Sequence, residues 1–252
     1  MINKFEKLIK EAGKIGLEGY NGDFKTYYKA ERNPVTEYDT KIEKFIINYI
    51  TENYPDYGIY SEEDSKRSEG IKYTVYLDPI DGTVNFSRKI PFFCISFALY
   101  KENKPEIGIV YLPVLNQMFT AQKGKGSFLN GKRISVSETT DMTKAIGATG
   151  FPYDKHISEI NNINNFGTVL KKVQGLRRCG SAAIDICYTA CGNYDFFWEL
   201  KLNPWDMAAG ILIAQEAGAI ITKIDGSDFD LYGDSIIVSN KKLHQNLLKL
   251  LL

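Results

Sequence analysis

The chain has 252 residues, enough to bury a full hydrophobic core as one large domain or as two closely packed halves. Its 31 Lys and Arg residues balance its 31 Asp and Glu residues, which argues against a nucleic-acid or anionic-membrane surface. Hydrophobic residues make up 44% of the chain and charged residues 25%, as in an ordinary soluble globular protein. The acidic residues must therefore be interpreted by their positions.

The first half of the sequence predicts two helices followed by strands. Residues 1–20 place apolar side chains at helical spacing between lysines and glutamates, which indicates an amphipathic helix and not a signal peptide. A predicted turn at Asn33–Pro34 precedes a second helix that ends at Pro55. Residues 72–80 then predict a strand, and residues 91–137 predict a meander of strands joined by turns.

Helices alternate with strands beyond about residue 138. Two segments predict helices that end at Gly192 and Gly218, and two later segments predict strands before a C-terminal amphipathic helix. We therefore expect an α+β first half, residues 1–137, and an α/β second half, residues 138–252, with the two halves tightly packed.

The cysteines give no sign of a disulfide framework. The four cysteines contain no CxxC pair, and a chain of this length does not need disulfides for stability. Cys187 and Cys191 could share a helix face in a metal site, but buried thiols explain them better because the chain has only two histidines. No apolar run is long enough to cross a bilayer. We expect a cytoplasmic protein without membrane or nucleic-acid partners.

Several acidic residues stand at predicted strand ends or helix starts instead of on solvated faces. Side chains from distant segments converge at such places in sheet-based enzymes. These residues are Asp39, Glu62 with Glu63, Asp78 with Asp81, and Asp206.

The segment Asp-Pro-Ile-Asp-Gly-Thr, residues 78–83, makes specific demands on the backbone. Pro79 restricts the preceding residue to extended angles and removes one amide donor. Gly82 allows a positive φ or a close approach, and the following residues can begin a helix whose free amides favour an anion. Two carboxylates and an exposed carbonyl beside such a turn suit a hard divalent cation that holds a phosphate.

Simpler explanations exist for each acidic residue taken alone. Asp81 could cap a turn, and Asp206 could cap a helix. An EF-hand counted from Asp78 fails, because Thr83 and Lys89 stand where Gly and Glu are required. The glycine-rich segment at residues 124–131 lacks the phosphate-loop pattern and predicts a hairpin. The argument for function therefore depends on the whole set of acidic residues.

Two longer motifs carry a resemblance to a known family. "DPIDGTVNF", residues 78–86, resembles the first signature of the inositol monophosphatase family, and "NPWDMAAG", residues 203–210, resembles the second. "VTEYD", residues 35–39, and "SEED", residues 61–64, match the acidic elements that precede the first signature, in the same order. This resemblance implies a layered αβαβα fold shared with fructose-1,6-bisphosphatase, magnesium dependence and hydrolysis of phosphate monoesters.

The resemblance also implies roles for individual residues. Glu62, Asp78 and the backbone carbonyl of Ile80 would bind a first metal ion, and Asp78, Asp81 and Asp206 a second. Thr83, together with Glu62, would activate the attacking water, with Asp39 as the hydrogen-bond acceptor behind Thr83.

Further contacts would hold the substrate. The residues that the resemblance assigns to the phosphate and to the sugar or cyclitol hydroxyls are Asp81, Gly82, Thr83, Ser181, Ala182 and Glu199. Lys29 matches a lysine of a loop that covers the site and assists a third metal. Arg177 and Arg178 are candidates for a second phosphate, although a salt bridge or subunit contact explains them equally well.

The substrate expected from this resemblance is inositol 1-phosphate, and the alternative is fructose 1,6-bisphosphate or another small phosphomonoester. The resemblance further implies two or three Mg²⁺ per site, inhibition by Li⁺ and a homodimer. A hypothesis of another class is a regulatory protein that keeps the fold and binds a macromolecule.

Overall fold

The computed structural model describes residues 1–30, 33–63 and 72–251, with the side chains of residues 29, 30 and 33 left out. Its helices are α1 Ile2–Asn21, α2 Glu37–Asn53, α3 Thr83–Ser87, α4 Ile163–Leu170, α5 Ala182–Ala190, α6 Pro204–Glu216 and α7 His244–Leu251. Its strands are β1 Thr26–Ala30, β2 Asn33–Thr36, β3 Tyr57–Ser61, β4 Tyr73–Asp81, β5 Cys94–Lys101, β6 Lys104–Leu112, β7 Gln117–Gln122, β8 Gly126–Leu129, β9 Lys132–Arg133, β10 Ile146–Thr149, β11 Gly175–Arg177, β12 Phe196–Leu200, β13 Ile220–Thr222 and β14 Ser235–Ser239.

A seven-stranded sheet runs in the order β3-β4-β5-β6-β7-β8-β9, and all its pairs are antiparallel except β3 with β4. Alternate residues of a strand point to opposite faces. Val75 and Leu77 of β4 belong to a core formed with α1 and α2, while Tyr76 belongs to the core on the other face. Helices therefore cover both faces of this sheet.

Helices α5 and α6 lie between the two sheets. Because α6 is apolar around its whole circumference, it can be buried by both neighbouring layers. Its backbone passes close to β6 at Gly108, where an added Cβ would lie 2.6 Å from the carbonyl oxygen of Ala209. The absence of a side chain at Gly108 thus fixes the height of α6 above the sheet.

The second sheet has five strands in the order β11-β10-β12-β14-β13. Strand β10 is parallel to both of its neighbours, whereas β14 is antiparallel to β12 and β13. Its outer face packs against α4 and α7 through a core that includes Trp198, Val169 and Leu247. The layers are therefore helix, sheet, helix, sheet and helix, which confirms the predicted αβαβα fold.

Residues 33–36 differ from the sequence prediction, because they form strand β2 where a turn was expected. Strand β2 pairs only with β1 among the described residues, and Tyr28 faces Pro34 in the register. A proline is tolerated there because an edge strand can do without one amide donor. The predicted helices that end before Gly192 and Gly218 are present as α5 and α6.

All four cysteines are free thiols, and Cys94 and Cys187 are buried, as a role in packing predicts. Among the described residues, every helix is too short or too polar to span a lipid bilayer.

Candidate active site

The predicted site residues lie around one cavity of about 290 Å³, where the end of β4 meets the first turns of α3, α5 and α6. Both halves of the chain contribute acidic residues to the lining. The predicted site residues that line the cavity are Glu62, Asp78, Ile80, Asp81, Gly82, Thr83, Ser181, Ala182, Glu199 and Asp206.

The pairing of β4 with β5 is irregular between Asp78 and Asp81, and both residues line the cavity together with Ile80. Asp78 is buried, and its Oδ1 accepts a hydrogen bond of 2.9 Å from the amide of Ile80. Gly82 follows with φ of +97°, and an added Cβ would lie 2.9 Å from the carbonyl oxygen of Phe92. Only glycine fits both demands, so the chain can turn from strand to helix at this point.

Asp39 lies directly behind Thr83. Asp39 is the third residue of α2, and its Oδ2 accepts bonds from the amide (2.8 Å) and hydroxyl (2.5 Å) of Thr36 in a capping box. Its other oxygen, Oδ1, lies 3.2 Å from Oγ1 of Thr83, which is also 3.0 Å from the carbonyl oxygen of Ile80. Because both partners of Thr83 are acceptors when Asp39 is ionised, the hydroxyl donates, and its oxygen can still accept a hydrogen.

Asp81 joins the two halves of the chain. Its Oδ2 accepts bonds of 2.7 Å from the hydroxyl of Ser181 and from the amide of Ala183, at the start of α5. A carboxylate at this position also satisfies amides that have no partner within the helix. Since these bonds use a single oxygen of Asp81, the second oxygen remains for another ligand.

Asp206 is the third residue of α6 and repeats the arrangement of Asp39. Its Oδ2 accepts a bond of 2.8 Å from the amide of Asn203, the residue that caps the helix. Pro204 occupies the first helical position, where its fixed φ suits a helix start. The capping box orients the Asp206 carboxylate and again uses one of its two oxygens.

Burial and mutual repulsion raise the pKa values of the carboxylates around the cavity. Burial, followed by the charge of Glu62, raises the pKa of Asp78 well above its ordinary value. Burial, followed by the charge of Asp81, does the same for the pKa of Asp206. Burial also raises the pKa of Asp81, but only to about 6, because bonds from Ser181 and Ala183 partly offset the effect of burial. Such a group of acids favours either bound protons or a bound cation.

Glu199 also lines the cavity and is buried. It lies on β12, and burial together with the charge of Asp185 raises the pKa of Glu199 to about 8, against the lowering effect of Arg178. Arg178 lines the same cavity. Arg177 is exposed, and its guanidinium donates to the carbonyl oxygen of Leu176.

Comparison with known proteins identifies the family. The model of the inositol monophosphatase family matches residues 1–252. This protein belongs to the inositol monophosphatase family. It is 37% identical to inositol monophosphatase 3 of Solanum lycopersicum over 249 residues, with 96% of this chain and 92% of the relative covered.

Two further relatives show how widely the family resemblance extends. The chain is 35% identical to the Nus factor SuhB of Escherichia coli over 247 residues, with 96% of this chain and 92% of the relative covered. A solved IMPase structure from Thermotoga maritima superposes with a TM-score of 0.92 at 31% identity and covers 99% of this chain and 96% of its own. Membership of the inositol monophosphatase family supports phosphatase activity for this protein.

In residues 1–30, 33–63 and 72–251, no three His, Cys, Asp or Glu side chains lie in an arrangement that could already hold a metal ion. The ligand set is therefore a proposal in which the side chains converge on the ion. The side chain of Lys29 lies outside those that the structure describes.

Asp185 also lines the cavity, although the sequence reasoning did not select it. It lies on α5 four residues after Ser181, so helical spacing places both on one face. Burial raises the pKa of Asp185 well above its ordinary value, and its buried Oδ1 has no hydrogen-bond partner among the described residues. The four-residue spacing from Ser181 could have identified Asp185 in the sequence, but the apolar residues around it favoured a buried helix without a functional role.

The cavity with the predicted site residues is smaller than another cavity of the protein. A larger cavity of about 560 Å³ lies between α1 and strands β6 to β8, and none of the predicted site residues lines it. The 290 Å³ cavity is the better candidate because it combines convergent polar groups with raised pKa values.

Proposed function

We propose that this phosphatase depends on Mg²⁺ and hydrolyses a small phosphorylated polyol or sugar, with inositol 1-phosphate as the best candidate. The observation that carries the proposal is the meeting of Glu62, Asp78, Asp81 and Asp206 around one cavity, beside the Thr83–Asp39 hydrogen bond.

The donor set fits a hard divalent cation. It consists of carboxylate oxygens and a backbone carbonyl, which are the ligands that Mg²⁺ prefers. We propose that Glu62, Asp78 and the Ile80 carbonyl hold one ion, and that Asp78, Asp81 and Asp206 hold another. Bound ions of this kind lower the pKa of a coordinated water and stabilise charge on a leaving oxygen. Two or three Mg²⁺ per site and inhibition by Li⁺ remain proposals from the family resemblance.

Thr83 and Asp39 orient the attacking water. The Thr83 hydroxyl donates toward Asp39 or the Ile80 carbonyl, so its oxygen is left to accept a hydrogen from a water in the cavity that Thr83 lines. A water held by this acceptor and by Glu62 would direct a lone pair toward the phosphorus. Asp39 keeps the Thr83 hydroxyl in the donating orientation, and Glu62 shares the proton that the water releases.

The remaining contacts hold the two ends of the substrate. We propose that the amides of Gly82 and Thr83, at the start of α3, bind the phosphate. Across the cavity, Glu199 and the Ser181–Ala182 segment would bind hydroxyl groups of the leaving alcohol. Asp81 would stand between the two ends, since it already contacts Ser181.

We also propose a homodimer in the cytoplasm, with the chain divided near residue 137. A row of exposed apolar side chains in residues 157–170 supports a subunit contact: Ile157, Ile160, Ile163 and Leu170 are 79%, 61%, 54% and 46% exposed. The division separates the residues of the larger sheet from those of the smaller one. Size-exclusion chromatography with light scattering tests the dimer, and a monomer at micromolar concentration would contradict it.

A regulatory role is the second candidate, because the Escherichia coli relative is named a Nus factor. The balanced charge of this chain gives no support for a nucleic-acid surface. The presence of Thr83 and all the proposed ligands favours a working enzyme, to which a regulatory role could be added.

Phosphate release tests the proposal directly. We expect hydrolysis of inositol 1-phosphate with Mg²⁺ and none with EDTA, and we expect Mg²⁺ to raise the melting temperature because it binds the folded chain. Fructose 1,6-bisphosphate, histidinol phosphate and adenosine bisphosphate serve as competing substrates, and preference for one of these would reassign the substrate.

Asp81→Asn is the sharpest variant for this assay. The asparagine carbonyl can still accept from Ser181 and Ala183, so the fold is kept while the charge is removed. We expect at least a 100-fold loss of activity, whereas the exposed Asp56→Asn control should match the native enzyme. An Asp81→Asn variant with native activity would refute the metal site.

A further inference from the structure

Glu199 is packed against a glycine on the neighbouring strand. Gly150 follows the last residue of β10, and both Gly150 and Glu199 line the cavity. A Cβ added to Gly150 would lie 2.1 Å from Oε1 of Glu199 and 2.3 Å from its Oε2. Any side chain at position 150 would therefore displace the carboxylate, which is the movable end of a flexible side chain.

The register of the two strands brings these residues together. Thr149 of β10 pairs with Trp198 of β12, and the Thr149 hydroxyl donates a bond of 2.6 Å to the Trp198 carbonyl. Gly150 and Glu199 are the next residue on each strand. A small slip between β10 and β12 would therefore change where the carboxylate lies.

Asn162, which precedes α4 in the outer helical layer, stabilises this register through three hydrogen bonds. Its Nδ2 donates to Oγ1 of Thr149 (2.8 Å) and to the carbonyl oxygen of Gly150 (2.7 Å), and its Oδ1 accepts from Nε1 of Trp198 (2.7 Å). All these groups are buried or half-buried, so each bond is costly to lose.

Asn162 stands at the start of a helix, but its side chain bonds to the sheet and not to the helix. Asn162 precedes α4 with φ of +70°, a conformation that asparagine tolerates, yet its side chain makes no capping bond to the helix. The side chain instead bridges β10 and β12 across positions 149, 150 and 198.

We propose that Gly150 and Asn162 are positioning residues for Glu199, and that they determine the preference for leaving groups rich in hydroxyls. This inference rests on the proposed function, in which Glu199 binds a hydroxyl of the substrate. Gly150 leaves the space that the carboxylate occupies, and Asn162 keeps that space beside β12. Neither residue touches the substrate in this proposal.

The test compares two esters that differ in the leaving group. The specificity ratio is kcat/KM for inositol 1-phosphate divided by kcat/KM for phenyl phosphate, whose leaving group has no additional hydroxyl. We expect Gly150→Ala to lower this ratio about tenfold, the effect of losing one hydrogen bond between Glu199 and a hydroxyl of the leaving group. Glu199→Ala should lower it by a similar factor.

A double variant separates positioning from general damage. If Gly150 acts through Glu199, Gly150→Ala combined with Glu199→Ala gives the same ratio as Glu199→Ala alone. Asn162→Gly keeps a residue that tolerates positive φ, removes the three bonds, and should lower the ratio several-fold. Gly167→Ala, which meets nothing within 4 Å, and the exposed Asn164→Ala are matched controls that should keep the native ratio.

The outcomes are distinguishable. A native ratio in Gly150→Ala, or losses that add in the double variant, would overturn the inference even if Asn162→Gly failed to fold. If the unmodified protein hydrolysed neither ester with Mg²⁺, the proposed function itself would be refuted.

Discussion

Replacing Asp39 with asparagine should make the metal-free protein more stable while it inactivates the enzyme. The Thr36 amide must keep an acceptor, so the asparagine carbonyl will face Thr36 and its NH₂ group will face Thr83. The hydrogen bond between residues 39 and 83 is then reversed, because the asparagine donates to the Thr83 oxygen. The asparagine then occupies one of the two lone pairs of that oxygen and turns the hydroxyl toward the Ile80 carbonyl, so the attacking water is oriented less well.

The size of each effect follows from the burial of Asp39, whose side chain is 0% exposed. Burial raises the pKa of Asp39 from 3.8 to about 7, with bonds from Thr36 opposing it. Charging Asp39 in the folded state therefore costs about 4 kcal/mol at pH values above 7. This is an upper limit for the gain in Asp39→Asn, since the amide is buried as well. Loss of water orientation should lower kcat by about 100-fold to 10,000-fold.

The stability gain depends on pH with a definite sign. Because the folded-state pKa of Asp39 is above the unfolded value, the cost is absent below about pH 3.8, grows as the pH rises and is complete above about pH 7. In EDTA, Asp39→Asn should therefore exceed the native protein in stability at pH 8, and by less than half as much at pH 5. At about 2–4 °C per kcal/mol for a protein of this size, the difference at pH 8 is several degrees.

Thermal melting in EDTA at both pH values, together with kcat at saturating Mg²⁺, checks this prediction. Asp56→Asn provides an exposed control that should change neither quantity. Native kcat in Asp39→Asn, or a variant less stable than the native protein at pH 8, would refute the reasoning about Thr83 and Asp39.

Two further changes test buried positions outside the cavity. Gly108→Ala places a Cβ 2.6 Å from the backbone oxygen of Ala209, so α6 must shift; we expect a loss of about 1–3 kcal/mol and a higher Mg²⁺ requirement. Urea unfolding and Mg²⁺ titration against Gly167→Ala check this, and unchanged values would contradict it. Burial lowers the pKa of His244, so the native protein should lose more stability between pH 7 and pH 5 than His244→Gln, as unfolding in urea would show. Equal losses in the two proteins would be the contrary result.

The sequence revealed those residues whose chemistry is concentrated in short motifs. Asp78, Asp81 and Thr83 share one segment, and Asp206 lies in a second, so the family and its layered fold could be predicted before the structure. Gly150 carried no such signal, because its importance arises from Glu199 on another strand 49 residues later. Nothing in the sequence indicated a role for Asn162 either, since its three partners become neighbours only when β10 and β12 pair. Contacts of this kind are properties of the tertiary structure.

The capping role and the proposed catalytic role of the acids are compatible. Asp39 and Asp206 each stand at the third position of a helix and accept the amide of the capping residue with Oδ2. A carboxylate has two oxygens, so the cap fixes the orientation of the group while Oδ1 remains for another partner. For Asp39 that partner is the Thr83 hydroxyl, and for Asp206 we propose a metal ion. Capping thus holds each proposed catalytic side chain in place before substrate arrives, and a substitution that removes the cap should disturb stability and catalysis together.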